Sequence, residues 1–235
     1  MMVMVPSASF VGGVILTLTI LTMVVAAIIT VIKRARNPRS RSLELWALNL
    51  RLKFDSFNPE RDDGFAMGWG FLRRLAQGED CYAFNILRGT YHEQALFVFD
   101  FHFRSGSGKN EEGYFGTILM LVVQKAFPRL TIGPENFVLK FAEALGVAND
   151  IKFESAEFSR TFRVRSADKK FAYDVCNPQM IDYLLANPGL QIEIQGPVIS
   201  LAFEPQLPVG QIELNLQRLV EIRSLMPEYL FTQNA

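Results

Sequence analysis

Asp100 and His102 form the best acid–base pair that the sequence offers. They lie two residues apart in an alternating stretch, and in a β-strand the side chains of residues i and i+2 point to the same face. A carboxylate beside an imidazole suits general acid–base catalysis, and Cys176 or Ser159 would be the nucleophile of a hydrolase. No spacing places either nucleophile beside the pair, and a solvated strand face explains the same pattern. We therefore assign no catalytic residue, and the question of enzymatic activity leans towards a non-enzymatic protein.

Metal and phosphate binding have less support than acid–base chemistry. The chain has two histidines, His92 and His102, and its two cysteines stand in different segments without CxxC spacing, which argues against a zinc site. The loop 105–110, SGSGKN, is similar to a phosphate-binding loop, but Asn110 follows Lys109 where that motif needs Ser or Thr. We therefore predict no metal and no cofactor.

A basic cluster in the C-terminal half has two interpretations. It contains Arg160, Arg163, Arg165, Lys169 and Lys170. These side chains would contact an acidic partner or a phosphate, or they would protect an exposed strand edge by their charge.

The segment 11–32 would determine where in the cell these residues lie. It contains 22 residues and no charged side chain. As a helix it would be about 33 Å long, enough for a hydrocarbon core of about 30 Å. The pattern predicts a transmembrane helix. A cleaved signal peptide is the alternative, but the preceding residues are neutral and the apolar core is long for one.

A basic collar follows this segment, whereas residues 1–10 carry no charge. By the positive-inside rule, the collar stays in the cytoplasm. We therefore expect an extracytoplasmic tail (1–10), the transmembrane helix (11–32), a basic juxtamembrane linker (33–42) and a cytoplasmic domain (43–235), at the bacterial inner (cell) membrane. The collar residues are Lys33, Arg34, Arg36, Arg39 and Arg41.

Charge and small residues indicate which partners the chain would bind. From Ser42 onward there are 19 basic and 24 acidic residues, a net charge of −5, so nucleic-acid binding is not expected. The predicted partners are the lipid bilayer and other membrane-protein subunits, or a second copy. A stripe of small residues within the apolar segment would allow a second helix to approach closely; it contains Thr19, Thr22, Ala26 and Thr30.

Hydrophobic periodicity predicts the fold of the remaining chain. Phe97, Phe99, Phe101 and Phe103 alternate with other residues, as in a strand with one packed face. An apolar run over 114–124 predicts a strand buried on both faces, and a turn at Gly196-Pro197 predicts a hairpin over 190–203. Apolar periods with Asn177-Pro178 and Pro208 predict helices in the C-terminal part. The predicted class is α+β, with a single N-terminal transmembrane helix, a largely antiparallel sheet and flanking helices.

Several short pieces, read in order, carry a family resemblance. They are Asn85–Gly89 (NILRG), Leu96–Phe101 (LFVFDF), Pro134-Glu135, Asp150–Phe153 (DIKF), and Glu157–Ser159 before Phe162–Val164. In this arrangement the chain resembles a family of uncharacterised bacterial membrane-associated proteins that share a domain of unknown function. The resemblance implies a bacterial source and brings no activity or site residues.

The leading functional hypothesis is a single-pass membrane-anchored interaction protein, an accessory or regulatory subunit of a bacterial inner-membrane complex. The alternatives are a membrane-tethered hydrolase that uses the Asp100/His102 face and a ligand-binding adaptor-like module.

Overall fold

The computed structural model describes residues 18–27, 38–56, 82–105, 112–134 and 150–232. The chain divides into two compact units, Met1–Leu45 and Trp46–Ala235. The predicted extracytoplasmic tail and much of the basic linker lie outside the described residues.

The described part of the N-terminal unit does not show the predicted transmembrane helix. Its first helix, α1, covers ten described residues, 18–27. Ten helical residues rise about 15 Å, roughly half of a hydrocarbon core. Among the described residues, no helix combines the length and apolar character that a membrane crossing requires. The fold class predicted above is therefore wrong in this element.

The second helix, α2, spans Pro38–Asn49 and begins inside the segment expected to be a linker. Proline is well suited to the first turn of a helix because its missing N–H would have no partner there. The hydroxyl of Ser42 donates a hydrogen bond to the Pro38 carbonyl at 3.0 Å. Pro38 therefore starts this helix.

Among the described residues of the C-terminal unit, seven strands form a central antiparallel sheet. The strand order is β1-β2-β3-β4-β6-β5, and β7 also pairs with β4. This agrees with the expected sheet, so the class is a mixed α/β domain. The strands are β1 (Lys53–Asp55), β2 (Tyr82–Tyr91), β3 (Gln94–Ser105), β4 (Glu112–Pro134), β5 (Asp150–Ile151), β6 (Phe162–Ser166) and β7 (Ile192–Phe203).

Strands β4 and β7 form a long bent ribbon. Strand β4 has 23 residues and extends beyond the predicted run 114–124 at both ends. Its register against β7 shifts on both sides of Phe127, which pairs with Gly196. Gly196 has φ +55°, a left-handed conformation that glycine adopts without strain. Gly196-Pro197 therefore bends one strand, and Ala202 N–H donates to Gln191 O at 3.1 Å across the bend.

Short helices follow β5 and are started by polar side chains. Ser155, Asp168 and Asn177 each accept a backbone N–H three residues ahead, as N-caps do. The long helix α6 packs against β4 and β7. The helices are α3 (Ala156–Thr161), α4 (Lys169–Val175), α5 (Pro178–Ala186), α6 (Ile212–Leu225, after a 3₁₀ turn at Val209–Gln211) and α7 (Tyr229–Thr232).

One face of the sheet carries a compact apolar cluster. The alternating phenylalanines of β3 contribute to it, and Ile118 and Met120 of β4 join them across the ladder. Phe99 and Phe101 are almost fully buried, which confirms that this face of β3 is packed. The sheet therefore holds the opposite face of β3, with Asp100 and His102, in a fixed position.

Candidate functional site

Asp100 is buried, with 1% of its surface exposed, and does not lie on a solvated strand face. Asn85 Nδ2 donates to Asp100 Oδ2 at 2.8 Å, and Thr117 Oγ1 donates to Asp100 Oδ1 at 2.8 Å. The three residues come from the adjacent strands β2, β3 and β4. Buried polar groups are costly unless they are hydrogen-bonded, and here both carboxylate oxygens are satisfied.

The local backbone of β2 explains how Asn85 reaches the carboxylate. The register between β2 and β3 shifts between Phe84 and Leu87, which is a β-bulge that leaves one extra residue in β2. Asn85 has φ +52°, a conformation that Asn tolerates better than most other residues. The bulge thus turns the Asn85 amide towards Asp100.

Thr117 extends this network to the chain that follows the sheet. Its hydroxyl accepts the backbone N–H of Leu207 at 3.1 Å while it donates to Asp100. Leu207 lies between β7 and the 3₁₀ turn, so the network joins three strands to the connection that leads into α6. We call Asn85, Asp100, Thr117 and the Leu207 N–H the buried network.

His102 lies in an aromatic sandwich. Its ring stacks on Tyr82 with centroids 5.0 Å apart and contacts Phe115 with centroids 4.5 Å apart. The histidine is 7% exposed. A Cβ at Gly113 would lie 3.0 Å from Nε2, so a glycine in β4 leaves room for the imidazole. Packing accounts for this position of His102.

The two expected nucleophiles have structural roles. Burial raises the pKa of the Cys176 thiol to about 12, so it is protonated at neutral pH. Ser159 Oγ donates to the Phe153 carbonyl at 3.1 Å and accepts the Phe153 N–H at 3.0 Å. These arrangements give no support to the hydrolase alternative. Within the described ranges there is no cluster of three or more His, Cys, Asp or Glu able to hold a metal ion.

The basic cluster is largely occupied by local acidic groups. Arg165 Nε lies 2.8 Å from Asp150 Oδ1, and Arg163 Nε lies 3.5 Å from Asp150 Oδ2. Both arginines stand on the same face of β6, and Asp150 belongs to the short edge strand β5. Lys170 pairs with Asp174 one helical turn later at 2.8 Å. The geometry favours the charged strand edge over a phosphate site.

Helix α1 is the most apolar exposed element that the structure describes. All ten of its residues are exposed to solvent. A large exposed apolar patch marks an interaction surface in most soluble proteins. Its large hydrophobic side chains, which are 45–74% exposed, are Leu18, Ile20, Leu21, Met23, Val24 and Val25.

The predicted small-residue stripe lies partly on this helix. Thr19, Thr22 and Ala26 are all exposed, whereas Thr30 lies outside the described residues. The Thr22 hydroxyl donates to the Thr19 carbonyl at 2.8 Å, so its polar atom is satisfied within the helix. A hydroxyl that is already hydrogen-bonded can contact an apolar surface at little cost. Packing of a second helix against the stripe stays a prediction.

The predicted basic collar is described only in part. Arg39 and Arg41 belong to α2, where Arg41 is exposed and Arg39 is half-buried. Lys33, Arg34 and Arg36 lie outside the described residues. The collar as a membrane-surface contact stays a prediction.

The sequence pattern did not reveal the partners of Asp100. Asn85 and Thr117 each interrupt an apolar strand, and a polar residue in a buried strand is the one signal that was present. Their hydrogen bonds to Asp100 could not be predicted from local sequence, because the two residues lie 15 and 17 positions from Asp100 along the chain.

Comparisons with known proteins found one structure with a similar fold, and they assign the chain to no family. No protein-family model matches the chain, and no curated protein does. The crystal structure of the mycobacterial trehalose monomycolate transport factor A, TtfA, is similar, with a TM-score of 0.54 and 12% identity over 80% of this chain and 96% of that chain. At this identity the similarity shows a shared fold alone. The resemblance to an uncharacterised bacterial family stays a prediction.

Proposed function

We propose that this chain is an interaction protein, an accessory or regulatory subunit of a bacterial inner-membrane complex, and that it docks through α1. The observation that carries the proposal is the complete exposure of α1, whose large side chains are apolar. Burial of apolar surface contributes about 25 cal/mol per Å², so contact between this helix and an apolar surface of a partner would contribute to binding.

The interior of the C-terminal unit supports the same proposal. The groups best suited to catalysis by residue type are engaged in packing and hydrogen bonding: Asp100 in the buried network, His102 between aromatic rings, and Cys176 as a buried thiol. Because these groups are engaged within the fold, the exposed surface of α1 is the better candidate for function.

The structural neighbour adds support of a different kind. TtfA is described as a trehalose monomycolate transport factor. A fold that occurs in a transport factor is compatible with an accessory role beside a membrane assembly.

A pair of leucine variants tests the proposal. Leu21 on α1 and Leu214 on α6 are 58% and 49% exposed, so Lys replaces each without disturbing the core. Tagged full-length chains are extracted gently from native membranes and sized, and co-purifying proteins are quantified. We expect Leu21→Lys to lose a stoichiometric membrane-protein partner that wild type and Leu214→Lys retain. Retention of the partner by Leu21→Lys, or a wild-type chain without a partner, would contradict the proposal.

A further inference from the structure

The chain after α6 folds back on itself as a separate short segment. Helix α6 ends at Leu225, and its cap, Met226, is extended with φ −71° and ψ 132° before Pro227. Two backbone hydrogen bonds are internal to the segment: Leu230 N–H to Pro227 O at 3.0 Å and Phe231 N–H to Glu228 O at 2.9 Å. We call Pro227–Thr232 the C-terminal strap.

Phe231 attaches the strap to an aromatic groove. Phe127 of β4 stacks on Phe171 of α4 with centroids 5.3 Å apart, and the Phe231 ring meets Phe127 edge to face at 5.1 Å. The guanidinium carbon of Arg223 lies 3.4 Å from the centroid of the Phe231 ring. This arrangement combines an aromatic pair with a cation–π contact.

Polar side chains complete the attachment. A hydrogen bond with Asp174 is the largest cause of the raised pKa of the Tyr229 phenol. Glu228 Oε2 lies 3.5 Å from Arg223. Tyr229 is 40% exposed, so water reaches the strap while it is bound. Asp174 and Arg223 therefore contact the Tyr229 phenol and the Phe231 ring, respectively.

We propose that the strap opens reversibly, and that the groove formed by Phe127, Phe171, Asp174 and Arg223 accepts the same strap from a second copy of this chain. The contacts just described are made by side chains of the strap, which begins directly after Met226; Met226 is 2% exposed and stays in the core when the strap opens. Exchange of an identical segment is a low-cost route to dimers because the same contacts form in both arrangements. The groove belongs to the C-terminal unit and is independent of the docking of α1.

The first test uses full-length chains and the fluorescent peptide PEYLFTQNA, which copies residues 227–235. Phe231→Ala weakens the chain's own strap and leaves the groove intact, and Thr232→Ala changes an exposed position as the control. Since a bound strap competes with the peptide, we expect at least tenfold tighter peptide binding to Phe231→Ala than to wild type or Thr232→Ala. The peptide with Ala in place of its Phe should not bind. Equal binding to all chains, or none to a folded Phe231→Ala chain, would overturn the proposal.

The second test uses wild type and does not depend on any variant. Hydrogen exchange is followed at the amides of Leu230 and Phe231 in the strap and of Ile222 in α6. An opening strap exposes its amides without unfolding the domain, so we expect faster exchange in the strap than at Ile222. Equal protection at the three amides would show that the strap stays closed and would overturn the proposal.

Discussion

Cys176 shows how burial removes the reactivity that a residue type would allow. The thiol lies at the end of α4 and is 3% exposed. Desolvation disfavours the thiolate and raises the pKa from 9.0 to about 12. Because the thiolate is the nucleophile, Cys176 is inert in the folded protein.

We expect native Cys176 to resist alkylation. In a Cys81→Ala chain, iodoacetamide at neutral pH should react at least about 100-fold more slowly with the folded protein than in urea, because both thiolate fraction and access are reduced. Mass spectrometry follows the adduct, and the urea sample is the control. Labelling of the folded chain at the rate of a free cysteine would contradict the assigned burial.

The same thiol makes stability depend on pH in the alkaline range. Its folded-state pKa lies above the unfolded value, so its contribution is complete below pH 9.0 and is lost as the pH rises towards about 12. Cys176→Ala should show a shallower fall of unfolding free energy above pH 9 than wild type. A residual slope is expected, since burial also raises the pKa of Tyr91 and Tyr183.

Individual residues also mark the limit of what periodicity predicts. Alternation correctly placed Asp100 and His102 on the face of β3 opposite Phe99 and Phe101. It did not reveal that this face is buried too, because burial depends on strands and connections distant in sequence. A polar residue in a strand can face solvent or can form a hydrogen bond with a buried partner, and the alternation is the same in both cases.

At the scale of elements, local chemistry predicted helix starts well. Asn177 caps α5 at the predicted Asn177-Pro178 pair, and Pro208 precedes the 3₁₀ turn that leads into α6. The bend of β7 was expected as a hairpin turn. Pairing with β4 on both sides of Gly196 keeps it one strand, and such long-range pairing leaves no local signal.

The buried network is expected to stabilise the sheet and the connection into α6. Thr117→Val removes a hydroxyl that donates to Asp100 and accepts from Leu207, whereas Thr117→Ser keeps a hydroxyl in place. Leaving buried partners unsatisfied costs about 1–3 kcal/mol. We expect Thr117→Val to be less stable than Thr117→Ser by roughly that amount. Urea unfolding measures the difference, and equal stability of the two variants would contradict the network.

At the scale of the whole molecule, the predicted transmembrane helix is wrong, because no helix among the described residues is long and apolar enough to cross a membrane. The pattern over 11–32 predicted a membrane-spanning helix, whereas α1 covers residues 18–27. The large antiparallel sheet, in contrast, followed from the alternation within its strands.

The central claim is that α1 is the surface through which the chain binds its partner. A photo-crosslinking phenylalanine analogue at position 21, compared with position 214 on α6, tests it in living cells. We predict one defined adduct of a membrane protein from position 21 and none of that protein from position 214. The absence of an adduct from position 21, or the same adduct from both positions, would contradict docking through α1.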